Sequence, residues 1–172
     1  MTMPLQPLAT APHAAPTGGR IGHVHLRVAD LERSIAFYSG VLGLDVMQRF
    51  ASGAAFLSMD GYHHHLGLNT WDSLGGTRPA KGHTGLYHTA FLYPSRAALA
   101  AVVARVLAVG YQLTGKADHG VSEAVYLDDP DGNGVELYRD RPEAEWPRDA
   151  EGRLAMTNDP LDVDALLSEA RT

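Results

Sequence analysis

One pattern occurs twice in this chain, 65 residues apart, and it limits the fold more than any other feature. Residues 21–28, I-G-H-V-H-L-R-V, alternate cleanly, with Val24, Leu26 and Val28 on one face and His23, His25 and Arg27 on the other. Such alternation is the mark of a strand with one apolar side. Asp30 suits a helix N-cap. Leu31, Ile35, Tyr38, Val41 and Leu42 then follow at helical spacing, and Gly43 ends the helix. Residues 44–50, 54–59 and 64–69 read as three strands broken by Gly-containing turns. Moved by 65 residues, the same order returns. A strand at 87–93 contains His88, Ser95 is the cap, and Leu99, Val102, Val103, Val106 and Leu107 lead to Gly110. Strands follow near 111–115, 124–128 and 135–139. His23 falls on His88, Asp30 on Ser95 and Leu42 on Leu107. This is an internal structural repeat. It predicts an α+β fold in which two βαβββ modules form an open, curved mixed sheet.

The modules are expected at 20–71 and 86–142 of one domain, joined by a linker at 72–85 that carries Gly, Pro and Ser. Residues 1–19 are rich in Pro and Ala without a basic start or an apolar stretch, so they predict a disordered tail rather than a signal peptide. Residues 143–172 lose periodicity and are expected to form a C-terminal tail with a short helix. The net charge of -6, with no basic cluster, argues against nucleic acid as partner. No apolar run is long enough for a membrane span. The absence of Cys excludes disulfides, thiolate nucleophiles and Cys-based metal sites, and fits a cytoplasmic protein. Nine His in 172 residues is the compositional anomaly.

The histidines gain meaning from a hairpin at 125–138, V-Y-L-D-D-P-D-G-N-G-V-E-L-Y. Its centre is dense in turn residues. Glu136 lies between Val135 and Leu137, so alternation puts it on the opposite face from both. Taken alone, the hairpin reads as an edge strand with Glu136 in water. Two His at repeat-equivalent positions change that reading. A carboxylate on an inner strand face is costly unless it is paired or holds a cation. If the modules lie side by side, His23, His88 and Glu136 converge in the concavity of the sheet. Two His and one carboxylate without Cys form the ligand set of a facial triad with open positions. That set suits Fe(II), and also accepts Mn(II), Ni(II) or Zn(II).

The words G-H-V-H-L-R-V-A-D-L-E-R-S-I-A-F-Y-S-G-V-L-G-L and D-P-D-G-N-G-V-E-L-Y resemble the vicinal-oxygen-chelate superfamily of glyoxalases, bleomycin-resistance proteins and extradiol dioxygenases. The resemblance spans about residues 20–142. Within the superfamily, the chain is most similar to the catechol 2,3-dioxygenase branch. That similarity implies His23, His88 and Glu136 as metal ligands and His64, in H-H-H-L-G-L, as acid-base residue. It implies a second histidine at His119, in H-G-V, and a tyrosine at Tyr126, ten residues before Glu136. Alternation offers His65 in place of His64: if Leu66 and Leu68 face the helices, His63, His65 and Asn69 point the other way. His65 would then sit where glyoxalases carry a fourth ligand. A bulge beside the site would reconcile the two assignments. Many extradiol enzymes have four modules, whereas this chain has two.

The activity that the resemblance implies is extradiol cleavage of a catechol-type aromatic diol by O2 at Fe(II). A glyoxalase-like lyase or isomerase is the alternative if His65 is a ligand. A metal-free binding protein of the bleomycin-resistance kind would dispense with the three ligands. A homodimer is expected by resemblance, and because open sheets leave edges to be paired or covered.

Overall fold

A computed structural model describes residues 17–171; residues 1–16, most of the expected disordered tail, lie outside the described residues. The first module runs β1 (Val24–Arg27), α1 (Leu31–Ile35), β2 (Asp45–Phe50), β3 (Ala54–Ser58) and β4 (Leu66–Asn69). Asp30 caps α1 by accepting from the Arg33 amide, and the helix widens into a π-helical turn at Ala36–Val41. The second module runs β5 (Thr89–Leu92), α2 (Arg96–Ala108), β6 (Leu113–Asp118), β7 (Ser122–Asp128) and β8 (Gly134–Asp140). Ser95 caps α2 through the Ala98 amide. The fold is α+β, and β1 and β5 begin and end at positions offset by the repeat distance.

Each module carries its own open four-stranded mixed sheet, in the order β1-β4-β3-β2 and β5-β8-β7-β6. The first and last strands of each module pair in parallel; the other pairs are antiparallel. β6 starts two residues later than the sequence suggests. The amides of Gly110 and Tyr111 still bond back to Leu107 and Val106, so the helix end uses those residues first.

The modules join through their helical sides. One apolar core takes Leu26, Leu57 and Leu68 from the first module, and Val103, Val125 and Leu137 from the second. Phe37 packs on Tyr111 at 4.8 Å and Tyr38 on Phe91 at 6.1 Å between ring centroids. Arg105 of α2 donates to the carbonyls of Val41 and Leu42 at 3.0 and 3.2 Å, capping the π-helical turn from the other module. The turn of the β7–β8 hairpin completes the joint. Buried Asp129 accepts the Tyr38 hydroxyl at 2.8 Å, while Asp131 takes the Ala29 amide at 3.2 Å and pairs with Arg33.

After β8 the chain turns back over the second module. Residues 155–159 lie beside the end of β6, with Asp118 and Asp159 exchanging amide–carbonyl bonds at 2.8 and 2.9 Å. Buried Leu161 leads to a short helix, α3 (Val163–Ser168), whose Leu166 is fully buried in the common core. No helix among the described residues is long and apolar enough to cross a membrane.

Candidate metal centre

His88 and Glu136 meet directly. His88 stands one residue before β5, Glu136 lies on the neighbouring strand β8, and His88 Nε2 is 2.9 Å from Glu136 Oε2. Two ligands at right angles around a cation, each about 2.1 Å from it, stand roughly 3 Å apart. The pair therefore fits adjacent positions on one ion. His88 Nδ1 is buried with no hydrogen-bond partner among the described residues. Gly134 makes the close approach possible: a Cβ there would lie 2.1 Å from the Tyr87 carbonyl oxygen and 3.1 Å from His88 Cβ.

Tyr126 and His119 stand behind Glu136. Tyr126 is directly opposite Glu136 in the β7–β8 register, the structural source of the ten-residue spacing. Its hydroxyl is 3.2 Å from Glu136 Oε1 and 2.9 Å from His119 Nε2. Burial, and then the Glu136 charge, push the Tyr126 phenol up to about 12, so it is a proton donor at neutral pH. His119 sits in the tight turn between β6 and β7, where Gly120 takes φ 74°.

His23 belongs to a different cluster. It lies just before β1, exposed, with its ring 4.4 Å from that of His64. His64 Nδ1 is 2.7 Å from His63 Nδ1, and its ring is 4.9 Å from Phe56. Burial and then the neighbouring His23, His63, His25 and His65 hold the His64 imidazole below its ordinary pKa, which favours the neutral base. His65 is held at the end of β3: its Nδ1 accepts from the Met59 amide at 3.3 Å, and lies 3.3 Å from Ser58 Oγ. The His65 backbone bonds to both neighbouring strands, its amide to the Leu57 carbonyl at 2.8 Å and its carbonyl to the Val24 amide at 2.9 Å, whereas it is the ring of His64 that stands beside His23. Among the described residues, no group of three His, Asp or Glu side chains is close enough to hold one ion. A single chain thus brings His88 and Glu136 together, with Tyr126 and His119 behind them, and keeps His23 with His64 on the other module.

Sequence reasoning missed His63 as a neighbour of His64, although the histidine run signalled it. It also missed the Thr157 carbonyl, 2.9 Å from His119 Nδ1, because a backbone atom 38 residues away has no sequence signature.

Residues 20–137 match the model of the Glyoxalase/Bleomycin resistance protein/Dioxygenase superfamily. The chain belongs to this superfamily. It is 43% identical over 150 residues to a catechol-2,3-dioxygenase of Bacillus subtilis, covering 87% of this chain and 52% of the relative. It is 32% identical over 123 residues to biphenyl-2,3-diol 1,2-dioxygenase 3 of Rhodococcus globerulus, covering 70% of this chain and 63% of that protein. The chain thus spans between half and two thirds of the length of these curated relatives. Among solved structures, a glyoxalase/dioxygenase from Nostoc punctiforme superposes with a TM-score of 0.62 at 22% identity, over 78% of this chain and all of that one. A glyoxalase/bleomycin resistance/dioxygenase domain from Frankia sp. gives 0.62 at 22%, over 73% and 94%. At that identity the likeness is one of fold.

Proposed function

We propose that this chain is a metal-dependent extradiol dioxygenase that cleaves a catechol-type aromatic diol with O2. The observation that carries the reading is the His88–Glu136 pair at 2.9 Å, backed by Tyr126 and His119, in a chain 43% identical to a catechol-2,3-dioxygenase. His88 and Glu136 would hold two positions on a divalent cation. Fe(II) is the ion this reading favours, and Mn(II), Ni(II) or Zn(II) also suit the donors. When bound, the ion supplies Lewis acidity and a template for both reactants. His23, held with His64 on the other module, is assigned as the third ligand in trans: His23 of the partner subunit completes the set. The working unit is then a homodimer with two shared sites, and the open sheet edges leave room for such pairing.

The remaining residues manage protons. His64, held neutral by burial and its histidine neighbours, takes the proton of a substrate hydroxyl at a ring nitrogen. Tyr126 keeps its proton at rest between His119 and Glu136, and would turn it toward oxygen charge only as that charge develops beside the cation. His119 fixes the direction of that hydroxyl.

Mixing two inactive variants tests the assignment. His23→Ala and His88→Ala should each lose iron and catechol-dependent O2 uptake. Refolded together at equal ratio, they should recover roughly a quarter of the wild-type sites, since half of the dimers then carry one intact site of two. Iron content and the ring-fission product would be read together. Two variants that each keep wild-type iron would sink the ligand set, and no recovery on mixing would sink the shared site.

A further inference from the structure

The polar chain behind Glu136 continues past His119 into the C-terminal segment, and there its protons are decided. The Thr157 carbonyl lies 2.9 Å from His119 Nδ1. A carbonyl only accepts, so Nδ1 carries the ring proton. In neutral His119, Nε2 is then a lone pair, and it faces the Tyr126 hydroxyl at 2.9 Å. Tyr126 has one proton and two acceptors in reach, His119 Nε2 and, at 3.2 Å, Glu136 Oε1. The tautomer of His119 selects between them. With Nδ1 protonated, the Tyr126 proton goes to His119. With Nε2 protonated, His119 donates to the phenol oxygen, and the Tyr126 proton turns to the carboxylate.

Several bonds fix the carbonyl that imposes this choice. The Thr157 amide donates to the His119 carbonyl at 2.9 Å, closing a reciprocal pair with the ring contact. Two residues on, Asp159 exchanges backbone bonds with Asp118, and Thr157 Oγ1 donates to the Asp118 carbonyl at 3.3 Å. Leu161 and Leu166 anchor the segment in the core. On the other side of the turn, Pro147 covers Gly120 so closely that a Cβ there would lie 2.8 Å from its Cγ.

We propose that residues 155–161 are a positioning strap whose Thr157 carbonyl holds His119 as the Nδ1–H tautomer, drawing the Tyr126 proton away from Glu136 and leaving both carboxylate oxygens to a cation. Thr157 is a positioning residue acting through His119 and Tyr126. The second half of the proposal rests on Glu136 being a metal ligand, as argued above; the tautomer does not.

The test has a metal-free arm and a Mn(II) arm, both on the full chain. Nitrogen-15 NMR of histidine-labelled protein reads the tautomer directly, and His119 should show a protonated Nδ1 and a bare Nε2. A protonated Nε2 on neutral His119 overturns the strap. Thr157→Pro removes the amide donated to His119 and displaces the carbonyl, whereas Thr157→Ala keeps both backbone contacts. Mn(II) affinity, measured by electron paramagnetic resonance, should fall about tenfold in the proline variant, the low end of losses for outer partners of a ligand. In the alanine variant it should stay within about twofold of wild type. The deciding comparison adds Tyr126→Phe, which removes the proton at issue. In that background Thr157→Pro should no longer change Mn(II) affinity. An equal loss with and without the Tyr126 hydroxyl would mean that the strap acts by general disorder, and the proposal falls. Wild-type protein that has the Nδ1–H tautomer but takes up no Mn(II) would instead overturn the ligand role of Glu136, and with it the strap's role toward a cation.

Discussion

Gly134 shows how a single atom governs the site. It opens β8 opposite the chain that enters β5, and a methyl group there would meet the Tyr87 carbonyl oxygen at 2.1 Å. That oxygen is backbone, so the two strands themselves would have to part. Gly134→Ala should cost at least the roughly 1–3 kcal/mol of an overpacked interior. It should also widen the 2.9 Å His88–Glu136 contact and weaken metal binding. Urea unfolding and a Mn(II) titration on one preparation would check both; a variant as stable and as tight as wild type would show that the strands yield freely. Gly67 plays a related part in the first module, where a Cβ would lie 2.8 Å from the His25 ring. Residue-scale features of this kind were half legible. Glu136 stood out because alternation opposes it to Val135 and Leu137. Nothing in the sequence said that Gly134 was needed to seat His88, because that contact crosses two strands.

At the scale of elements, charge ties the C-terminal strap to the second module. Glu123 of β7 is buried and binds Arg96, Arg139 and Arg141, and Arg96 also pairs with Glu169 beyond α3. Arg141 in turn holds Asp118 at 2.6 Å, next to the strap. Burial works to raise the Asp118 carboxyl, but the Gly120 amide and Arg141 outweigh it and hold the carboxyl below its ordinary range. A carboxyl depressed on folding stabilises the fold above its unfolded value, near ~3.9, and that contribution is lost as pH falls through the lower folded value. Acid should therefore loosen the turn at 118–120 and the strap across it. Hydrogen exchange at the Asp159 amide, corrected for its intrinsic pH dependence, should accelerate below about pH 4 in wild type. In Asp118→Asn that added acid dependence should vanish. Equal pH dependence in the two proteins would remove Asp118 from the latch. The short C-terminal helix was legible from its apolar spacing. Its docking against α2 and the strap that leads to it were not, because they depend on contacts from residues 96–123 to residues 155–169.

For the whole molecule, a site shared between two copies, as proposed, would make metal and assembly one equilibrium. If His23 of the partner subunit completes each site, whatever binds the cation also binds the copies together. By linkage, metal that binds only the dimer tightens it, by about 2.7 kcal/mol per site at a hundredfold excess over the dissociation constant. Sedimentation at low micromolar concentration should then show a dimer with Mn(II), shifting toward monomer on chelation. A dimer constant indifferent to Mn(II) would put the complete site within one chain. The apolar core on the helical side explains why the modules are arranged as they are. Tyr38, buried and bonded to Asp129, fixes the first module to the hairpin turn of the second. The helical faces meet, and the histidine-bearing ends of β1 and β5 are left in separate neighbourhoods.

The sequence by itself determined the two βαβββ modules, their caps and their offset, because alternation, helical spacing and capping are local and recur at a fixed distance. The ten-residue spacing from Tyr126 to Glu136 was also present in it, but the β7–β8 register of the structure is what sets the two directly opposite each other. Only the tertiary structure decided that His88 and Glu136 meet within a single chain while His23 stands with His64. It likewise decided that His64 rather than His65 turns toward His23, and that the Thr157 carbonyl reaches His119. Those outcomes depend on how two finished modules pack through their helices and how the tail crosses a distant turn. Such packing is set by the fit of buried surfaces far apart in the chain, which no local pattern records.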